Sequence, residues 1–385
     1  MRRIKVLEVL EATAGGTRKH LLSLLQSLDH DVFEVEVASP LVRDGHDKDT
    51  RFAEDVRAMG LRLHPVDLHR SVRPLADLRG VLQLVRIVRR GNYDVVHLHS
   101  SKAGFLGRVA AKLNGVKTVY TPNGFYFLNA KSAITRRFFL LAEQLAARLT
   151  DRMVAVSESE REASLAHKAM PDSKIAVIPN AIESKDLAPD PDVRQRIRAE
   201  LGIAEAAPMV GTMSRFIAQK DPVTLVRAMR LVLDEVPEMR FVWCGEGGDL
   251  QDDTVRAARE LGVQDAFHYT GFRHDAPDVM NSFDVFTLSS IFEGLPYALL
   301  EAMLMELPVV VTAVVGSRDV VEDGATGVLV EPRNPAALAA AIVALLRDSD
   351  RAVALGSAAR SVVLEKYGIE RMVAEIQKLY RSLAP

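Results

Sequence analysis

Short apolar, β-branched runs alternate with longer amphipathic stretches along almost the whole chain of 385 residues. This alternation is typical of βα units stacked on parallel sheets. Seven strands are predicted in the first half, at 4–10, 33–39, 61–65, 95–99, 118–121, 153–157 and 176–179. Six more are predicted in the second half, at 209–213, 240–244, 266–270, 285–289, 308–311 and 327–330. The pattern therefore predicts two successive doubly wound α/β domains.

The two series of strands are separated by a segment at 186–207. It contains Pro189 and Pro191 among charged residues, and Pro208 follows it. We expect a Rossmann-like domain at 1–185, a linker at 186–207, a second Rossmann-like domain at 208–369 and a C-terminal helix at 370–385. Ligands of open α/β sheets bind beyond the carboxyl ends of the strands, so we expect the ligand-binding and catalytic residues in the loops that follow the strands.

Composition narrows the class of protein. With 48% hydrophobic and 26% charged residues, the chain has an ordinary globular composition. The net charge of −2 conceals an asymmetry, since 29 Lys and Arg accompany 21 Asp and Glu in 1–185, against 20 and 30 in 186–385. This argues against a uniformly basic nucleic-acid binder and suggests that the halves face different partners. The single cysteine, with no secretory or membrane-spanning pattern, leads us to expect a cytoplasmic protein.

The loop at 211–221 carries two cations. Arg215 and Lys220 lie between a strand end and a helix that Asp221 and Pro222 predict to begin there. Arginine can bind two oxygens in a fork and lysine adds a point charge, so this pair suits a diphosphate. The alternative is a pair of solvated surface cations.

The segment 291–308 is the most informative. Glu293 precedes Gly294, Leu295 and Pro296, and the proline is placed to start the helix that carries Glu301. The helix N-terminus offers free N–H groups to a phosphate. Two carboxylates eight positions apart can reach different hydroxyls of one elongated ligand. The alternative, two unrelated glutamates, fits poorly with the apolar neighbours of Glu301.

The strand ends of the first half give weaker signals. Gly15-Gly16 resembles a phosphate-binding turn, although such a pair of glycines more often has only a structural role in a turn. No dinucleotide fingerprint or P-loop occurs, which argues against dehydrogenases and P-loop kinases. His97 and His99 share a strand face. They are either structural or part of a ligand site, and zinc is disfavoured because no third ligand has suitable spacing.

Three Asp-x-Asp triplets match a metal-binding pattern but lie in predicted loops or helix ends, and we interpret them as solvated acids. The triplets begin at Asp47, Asp190 and Asp348. No metal site is predicted.

Taken together, these motifs resemble the retaining GT-B-fold glycosyltransferases of family 4, and most of all those of bacterial capsule and exopolysaccharide synthesis. The resemblance is carried by the Gly15-Gly16 turn and by segments 97–104, 154–159, 177–182, 211–220 and 293–303. It covers essentially the whole chain. It implies a GT-B architecture, with two Rossmann-like doubly wound domains facing across a cleft and a last helix that crosses back to the first domain.

The resemblance also implies roles for individual residues. Arg215 and Lys220 would stabilise the donor diphosphate, Glu293 would contact the transferred sugar, and Asn123 would complete the catalytic set. Further donor-binding positions are Gly15, Gly16, Thr212, Ser214, Gly245, Phe272, Arg273, Gly294, Leu295, Pro296 and Glu301. Acceptor-binding positions are His99, Ser101 and Lys102.

Asn123 departs from the family pattern, in which many members have His at this turn. An amide can donate a hydrogen bond to a sugar hydroxyl but cannot accept a proton as a base. Because a donor phosphate oxygen is thought to take the acceptor's proton in this family, we expect an active enzyme in which Asn123 orients the substrate.

The expected function is retaining, metal-independent transfer of a hexose or N-acetylhexosamine from a nucleotide sugar, with UDP the expected nucleotide and no cofactor. The acceptor would be a glycan or lipid-linked molecule of envelope polysaccharide synthesis, and no nucleic acid is involved. The alternatives are an epimerase or hydrolase on the same fold and a non-catalytic nucleotide-sugar-binding protein. Basic amphipathic stretches at 78–91 and 135–149 either rest on the inner face of an anionic membrane or pack on the first sheet.

Overall fold

The computed structural model describes residues 2–42, 49–69, 71–129, 132–185 and 187–385. The chain divides into a first unit, Met1–Ala181 with Ile369–Pro385, and a second unit, Ile182–Gly368. Each unit contains one parallel sheet and the helices that cover it, so the predicted pair of doubly wound α/β domains is confirmed.

The first unit contains a seven-stranded sheet in the order β3-β2-β1-β4-β5-β6-β7. Its strands are β1 Ile4–Leu10, β2 Phe33–Ser39, β3 Arg62–Pro65, β4 Val95–His99, β5 Lys117–Thr121, β6 Arg152–Ala155 and β7 Ile175–Val177. Its helices are α1 Gly15–Ser27, α2 Arg51–Ala58, α3 Pro74–Gly91, α4 Ser101–Leu113, α5 Ala133–Ala146, α6 Glu158–Ala166 and α15 Ile369–Leu383. Leu7 and Val9 of β1 enter one hydrophobic core and Val6 and Leu10 enter another, so the sheet is buried on both faces.

The second unit contains a six-stranded sheet in the order β10-β9-β8-β11-β12-β13. Its strands are β8 Met209–Met213, β9 Arg240–Cys244, β10 Phe267–Gly271, β11 Val285–Leu288, β12 Val309–Thr312 and β13 Val328–Val330. Its helices are α7 Pro191–Glu200, α8 Pro222–Glu235, α9 Gln251–Glu260, α10 Ala276–Asn281, α11 Tyr297–Leu304, α12 Ser317–Val320, α13 Pro335–Arg347 and α14 Ser349–Lys366. The strand order reverses at β8, which places the loops after β8 and β11 side by side.

Local sequence sets the start of the two helices beside these loops. Asp221 precedes α8 and its carboxylate accepts a hydrogen bond from the backbone N–H of Thr224, while Pro222 is the first helical residue. Pro296 is the N-cap of α11, which begins one residue later at Tyr297. The start of α8 lies where the sequence predicts it, and α11 begins one residue after its predicted start.

The structure corrects the prediction of a linker at 186–207. This segment contains α7, whose N-terminus is capped by the Asp190 side chain. Arg198 of α7 is buried and donates to Asp284 Oδ2 at 2.7 Å and to the Ala207 carbonyl at 2.9 Å. Pro191, which we interpreted as a linker signal, is therefore the first residue of a helix in the second unit.

The last helix, α15, belongs to the first unit. Met372, Ile376 and Tyr380 of this helix are buried in the same core as Val6 and Leu10 of β1. The helix begins at Ile369, one residue before its predicted start.

Candidate active site

Glu293 follows β11 and is buried, with 6% of its surface exposed. Its carboxylate accepts hydrogen bonds from Lys220 Nζ, from Ser290 Oγ at 2.5 Å and from Gln219 Nε2 at 3.3 Å. The Lys220–Glu293 ion pair joins the loop after β8 to the loop after β11. Two of the predicted catalytic residues therefore lie together at the carboxyl edge of the second sheet.

The backbone around this ion pair is fixed by further hydrogen bonds. The Ile291 N–H donates to the Gln219 carbonyl at 2.8 Å, and Ser289 Oγ donates to the Lys220 carbonyl at 2.7 Å. Thr312 Oγ1 at the end of β12 donates to the Ser290 carbonyl at 2.5 Å. Three strand ends thus hold the two charged side chains in place before any ligand binds, which is the condition for electrostatic catalysis.

Two glycines permit close approach of loops at the same edge. Gly316 has φ +81°, and a Cβ there would lie 2.3 Å from the Gly294 carbonyl oxygen. Gly245 has φ +138°, and a Cβ there would lie 2.3 Å from the Ser214 carbonyl oxygen. Any larger residue would push the loops after β8 and β11 away from their neighbours.

Other predicted donor residues of the second unit lie on β8, on the loops after β8 and β11, and on α11. Thr212 is buried on β8, and its Oγ1 has no hydrogen-bond partner among the residues described. Arg215 is half-buried on the loop that carries Lys220. Leu295 is buried beside Pro296, and Glu301 lies half-buried on the second turn of α11.

Phe272 and Arg273 follow β10 and differ in their availability. The Phe272 ring is 44% exposed and meets the ring of His274 edge to face at 4.9 Å. The Arg273 guanidinium donates to Glu200 at 3.2 Å and to Asp275 at 2.6 and 2.7 Å, and these hydrogen bonds raise its pKa. Because protein carboxylates bind the Arg273 side chain, mainly the backbone of this residue is available to contact a sugar donor.

The predicted positions of the first unit also lie at strand ends. Gly15 begins α1 with φ +69°, and a Cβ there would meet nothing within 4 Å. Gly15 and Gly16 are exposed. Ser101 begins α4, and Lys102 donates to Asp77 at 2.6 Å.

The prediction that His99 binds the acceptor is wrong, because its imidazole is completely buried and cannot touch an acceptor. His99 Nε2 donates to Glu8 Oε2 at 2.8 Å. Tyr380 of α15 donates to Glu8 Oε1 at 2.6 Å, and its oxygen lies 2.6 Å from His97 Nδ1. The two strand histidines thus belong to a buried polar cluster of Glu8, His97, His99 and Tyr380.

Our expectation that these histidines lack a third potential metal ligand is wrong. Glu8, His97 and His99 present ligand atoms within 4.8 Å of one another. Burial, reinforced by His99, lowers the pKa of His97 well below its ordinary value and that of His20 to about 3. Each of the three grouped residues already has a hydrogen-bond partner inside the cluster.

The Asp-x-Asp triplets have structural roles where they are described. Asp190 caps α7 and Asp348 caps α14. Asp47 lies outside the described residues.

Comparisons with known proteins identify the family and the fold. Residues 15–181 match the family model described as a glycosyl transferase 4-like domain, and residues 193–362 match glycosyl transferases group 1. The chain belongs to the family 4 glycosyltransferases of the GT-B fold. It is 29% identical to the Escherichia coli protein named UDP-Gal:alpha-D-GlcNAc-diphosphoundecaprenol alpha-1,3-galactosyltransferase, over 81% of each chain. It is 26% identical to the D-inositol 3-phosphate glycosyltransferase of Corynebacterium kroppenstedtii, over 89% of this chain and 80% of that protein.

Solved structures share the fold of this glycosyltransferase. HepE of Anabaena, solved with UDP and glucose, has a TM-score of 0.84 and 21% identity, and the match covers 99% of this chain and 100% of that one. Sucrose-phosphate synthase of Thermosynechococcus elongatus has a TM-score of 0.82 and 20% identity, with 99% of both chains covered.

In this glycosyltransferase, Asn123 lies in a strained turn after β5, with φ +54°. Its Nδ2 atom is buried and has no hydrogen-bond partner within the described part of the chain. The turn is held by Glu160, whose carboxylate accepts from the Gly124 N–H at 2.6 Å and from the Val156 N–H at 2.8 Å. The Asn123 amide is thus an unused hydrogen-bond donor on a fixed turn.

Sequence reasoning missed three residues that support the predicted site residues of the two units. Gln219 and Ser290 orient Glu293, and Glu160 holds the Asn123 turn. Ser290 could have been found, because it follows a predicted strand at the edge where ligands bind. Glu160 gave no such signal, since its role depends on a turn 36 positions earlier in the chain.

Proposed function

We propose that this glycosyltransferase transfers a hexose or N-acetylhexosamine with retention of configuration and without a metal ion. The donor would be a UDP-sugar, and the acceptor a glycan or lipid-linked molecule of envelope polysaccharide synthesis. The observation that supports this best is the Lys220–Glu293 ion pair at the carboxyl edge of the second sheet, with Arg215 on the loop that carries Lys220.

The chemistry follows from charge. As the bond between the sugar and the diphosphate breaks, negative charge develops on the leaving group. Lys220 and Arg215 would stabilise that charge, and the N-terminus of α11 would add its partial positive charge. Glu293 would bind sugar hydroxyls, since its carboxylate is already oriented by Ser290. A donor phosphate oxygen would take the proton of the attacking acceptor hydroxyl on the same face of the sugar.

The relatives support the choice of substrates. The E. coli relative is named for UDP-galactose and for a diphosphoundecaprenol acceptor. The Anabaena neighbour was solved with UDP-glucose. We propose by analogy a UDP-sugar for this chain and a lipid-linked acceptor, which would bring the enzyme to the cytoplasmic face of a membrane.

Asn123 would orient the acceptor or the sugar through the amide of its half-buried side chain. Asn123→Ala should lower kcat/KM more than about threefold, or roughly 0.7 kcal/mol. A change smaller than that would remove Asn123 from the site.

The proposal is tested with the full chain and a panel of nucleotide sugars. A donor at 100 times its Kd should stabilise the protein by about 2.7 kcal/mol, which a thermal-shift screen detects. The stabilising donor is then incubated with and without candidate acceptors, and with and without EDTA. We expect acceptor-dependent transfer that EDTA does not change, and an α-linked product from an α-linked donor.

Other outcomes identify the alternatives. Consumption of the donor without any acceptor would indicate an epimerase or hydrolase. Donor binding without turnover across the acceptor panel would indicate a non-catalytic binding protein. Strong inhibition by EDTA, or an inverted product, would overturn the proposed mechanism.

A further inference from the structure

Two helices of the first unit turn apolar side chains towards solvent. The exposed residues on α3 are Leu75, Leu78 and Leu82, and those on α5 are Ile134, Phe138, Leu141 and Leu145. Leu75 is 77% exposed and Ile134 is 85% exposed. Within each helix the spacing is three or four residues, so each set forms one stripe along the helix.

One side of each helix packs on the core of the first sheet, as one of the two interpretations of these amphipathic stretches expects, and the exposed stripes lie on another side. On α3 it is the opposite side, with Leu84 and Val88, that enters the core. Helix α4 packs against both α3 and α5. Phe105 of α4 is exposed as well. The outer surface of α3, α4 and α5, here called the three-helix face, therefore exposes apolar residues from three neighbouring helices on one side of the first sheet.

The charges of the three-helix face are almost entirely positive. The three helices contain nine basic residues and two acidic ones, and the exposed charged residues are all basic: Arg79, Arg86, Arg89, Arg90, Lys112, Arg136 and Arg137. Both acids are engaged within the unit: Asp77 pairs with Lys102, and buried Glu143 pairs with Arg108. The exposed side of α3 continues from its leucines to arginines, at Arg86 and Arg89.

We propose that the three-helix face rests on an anionic lipid bilayer. Leucine, isoleucine and phenylalanine side chains would enter the boundary between headgroups and acyl chains, while the arginines would reach lipid phosphates. In the described residues no helix combines the length and hydropathy needed to span a bilayer. The inference deepens the proposed function, because a lipid-linked acceptor would lie in that bilayer, but the binding itself requires no catalysis.

Vesicle flotation of the full chain tests the proposal. The wild type should float with phosphatidylcholine vesicles that contain phosphatidylglycerol at low salt, and much less with phosphatidylcholine alone or at high salt. Arg86→Gln and Arg89→Gln should each weaken binding about fivefold. The double variant Ile134→Ser with Phe138→Ser should weaken it by at least roughly tenfold per residue.

Matched controls come from the second unit, where Val353 and Leu364 are also exposed on a helix, α14. Val353→Ser with Leu364→Ser should bind vesicles like the wild type. All variants should retain the wild-type melting temperature and the same transfer to a water-soluble acceptor.

Several results would overturn the lipid proposal. One is failure of the wild type to float at low salt, and another is normal flotation of the α5 serine variant. If that variant instead halves the mass measured by light scattering, the stripe binds a second copy of the chain. If the wild type floats with vesicles but transfers no sugar, the proposed function is rejected and the lipid proposal is retained.

Discussion

Each unit buries a glutamate at or just beyond a central strand, and the two carboxylates have different kinds of partner. Glu8 of β1 is completely buried and accepts hydrogen bonds from Tyr380 and His99. Glu293 after β11 is slightly exposed and pairs with the ammonium of Lys220. The first contact fastens α15 to the first unit, whereas the second joins two loops at a sheet edge.

The difference separates a structural carboxylate from one suited to chemistry. Neutral donors such as a phenol can satisfy a buried carboxylate, but they add no charge that a phosphate could use. A lysine paired with a glutamate near the surface can exchange one partner for a substrate. A buried carboxylate therefore indicates function when its partner is a cationic side chain that solvent or a substrate can reach.

The largest expected effect comes from removing the cation. Lys220→Ala should lower transfer by about 100- to 1000-fold, because the leaving diphosphate loses its positive partner. Steady-state kinetics measures the loss, and Lys366→Ala, at an exposed position of α14, is the control. Glu293→Gln should also impair transfer while keeping a group that can bond to Ser290. Activity within tenfold of wild type in Lys220→Ala would contradict the assignment.

Acid should weaken the first unit through its buried histidines. The pKa of His20 is lowered to about 3 and that of His97 is also lowered, so the unfolded chain binds more protons than the folded one below about pH 6.5. Stability should therefore fall as pH drops from about 6.5, by about 1.4 kcal/mol per pH unit for each histidine. Urea unfolding at several pH values measures the slope. His97→Gln should reduce it and His274→Gln, an exposed control, should not.

Loss of the Tyr380 hydroxyl should lower the stability of the protein without changing glycosyl transfer. Tyr380→Phe removes one hydrogen bond from buried Glu8 and should lower the free energy of unfolding by roughly 1–3 kcal/mol. Tyr126→Phe, at an exposed tyrosine, should have little effect on unfolding. A Tyr380→Phe protein with wild-type stability would show that the hydrogen bond does not hold α15.

The smallest effect is expected for Arg273. Its ion pairs with Glu200 and Asp275 are partly exposed and screened by solvent, so Arg273→Ala should cost about 0.2–1 kcal/mol. The KM for the donor should stay within about threefold, or roughly 0.7 kcal/mol, because the guanidinium is engaged by protein carboxylates. A much larger rise in KM would return the side chain to the donor site.

The strands were predictable and the pairings were not. Val95–His99 and Met209–Met213 are bounded as predicted because short, largely apolar segments rich in β-branched or buried residues are typical of buried parallel strands. The strand-end rule placed Lys220 and Glu293 at one edge, but 73 positions separate them, and only folding brings their atoms together. Their roles in transfer remain predictions.

The errors have the same physical origin. Alternation along β4 shows that His97 and His99 share a face, but it cannot show that a helix almost 300 residues later covers that face. At 186–207 the prolines were interpreted as a linker, although proline at the first position of a helix is equally favourable.

The position of α15 has a consequence for synthesis of the chain. Its residues complete the core of the first unit, yet they emerge only after the whole second unit, Ile182–Gly368, has been translated. At roughly 5–20 residues per second this delay is on the order of ten to forty seconds. Throughout that time the surface that will receive Ile376 and Tyr380 stays uncovered. A newly made first unit therefore presents a ready binding surface to chaperones until the ribosome reaches the last helix.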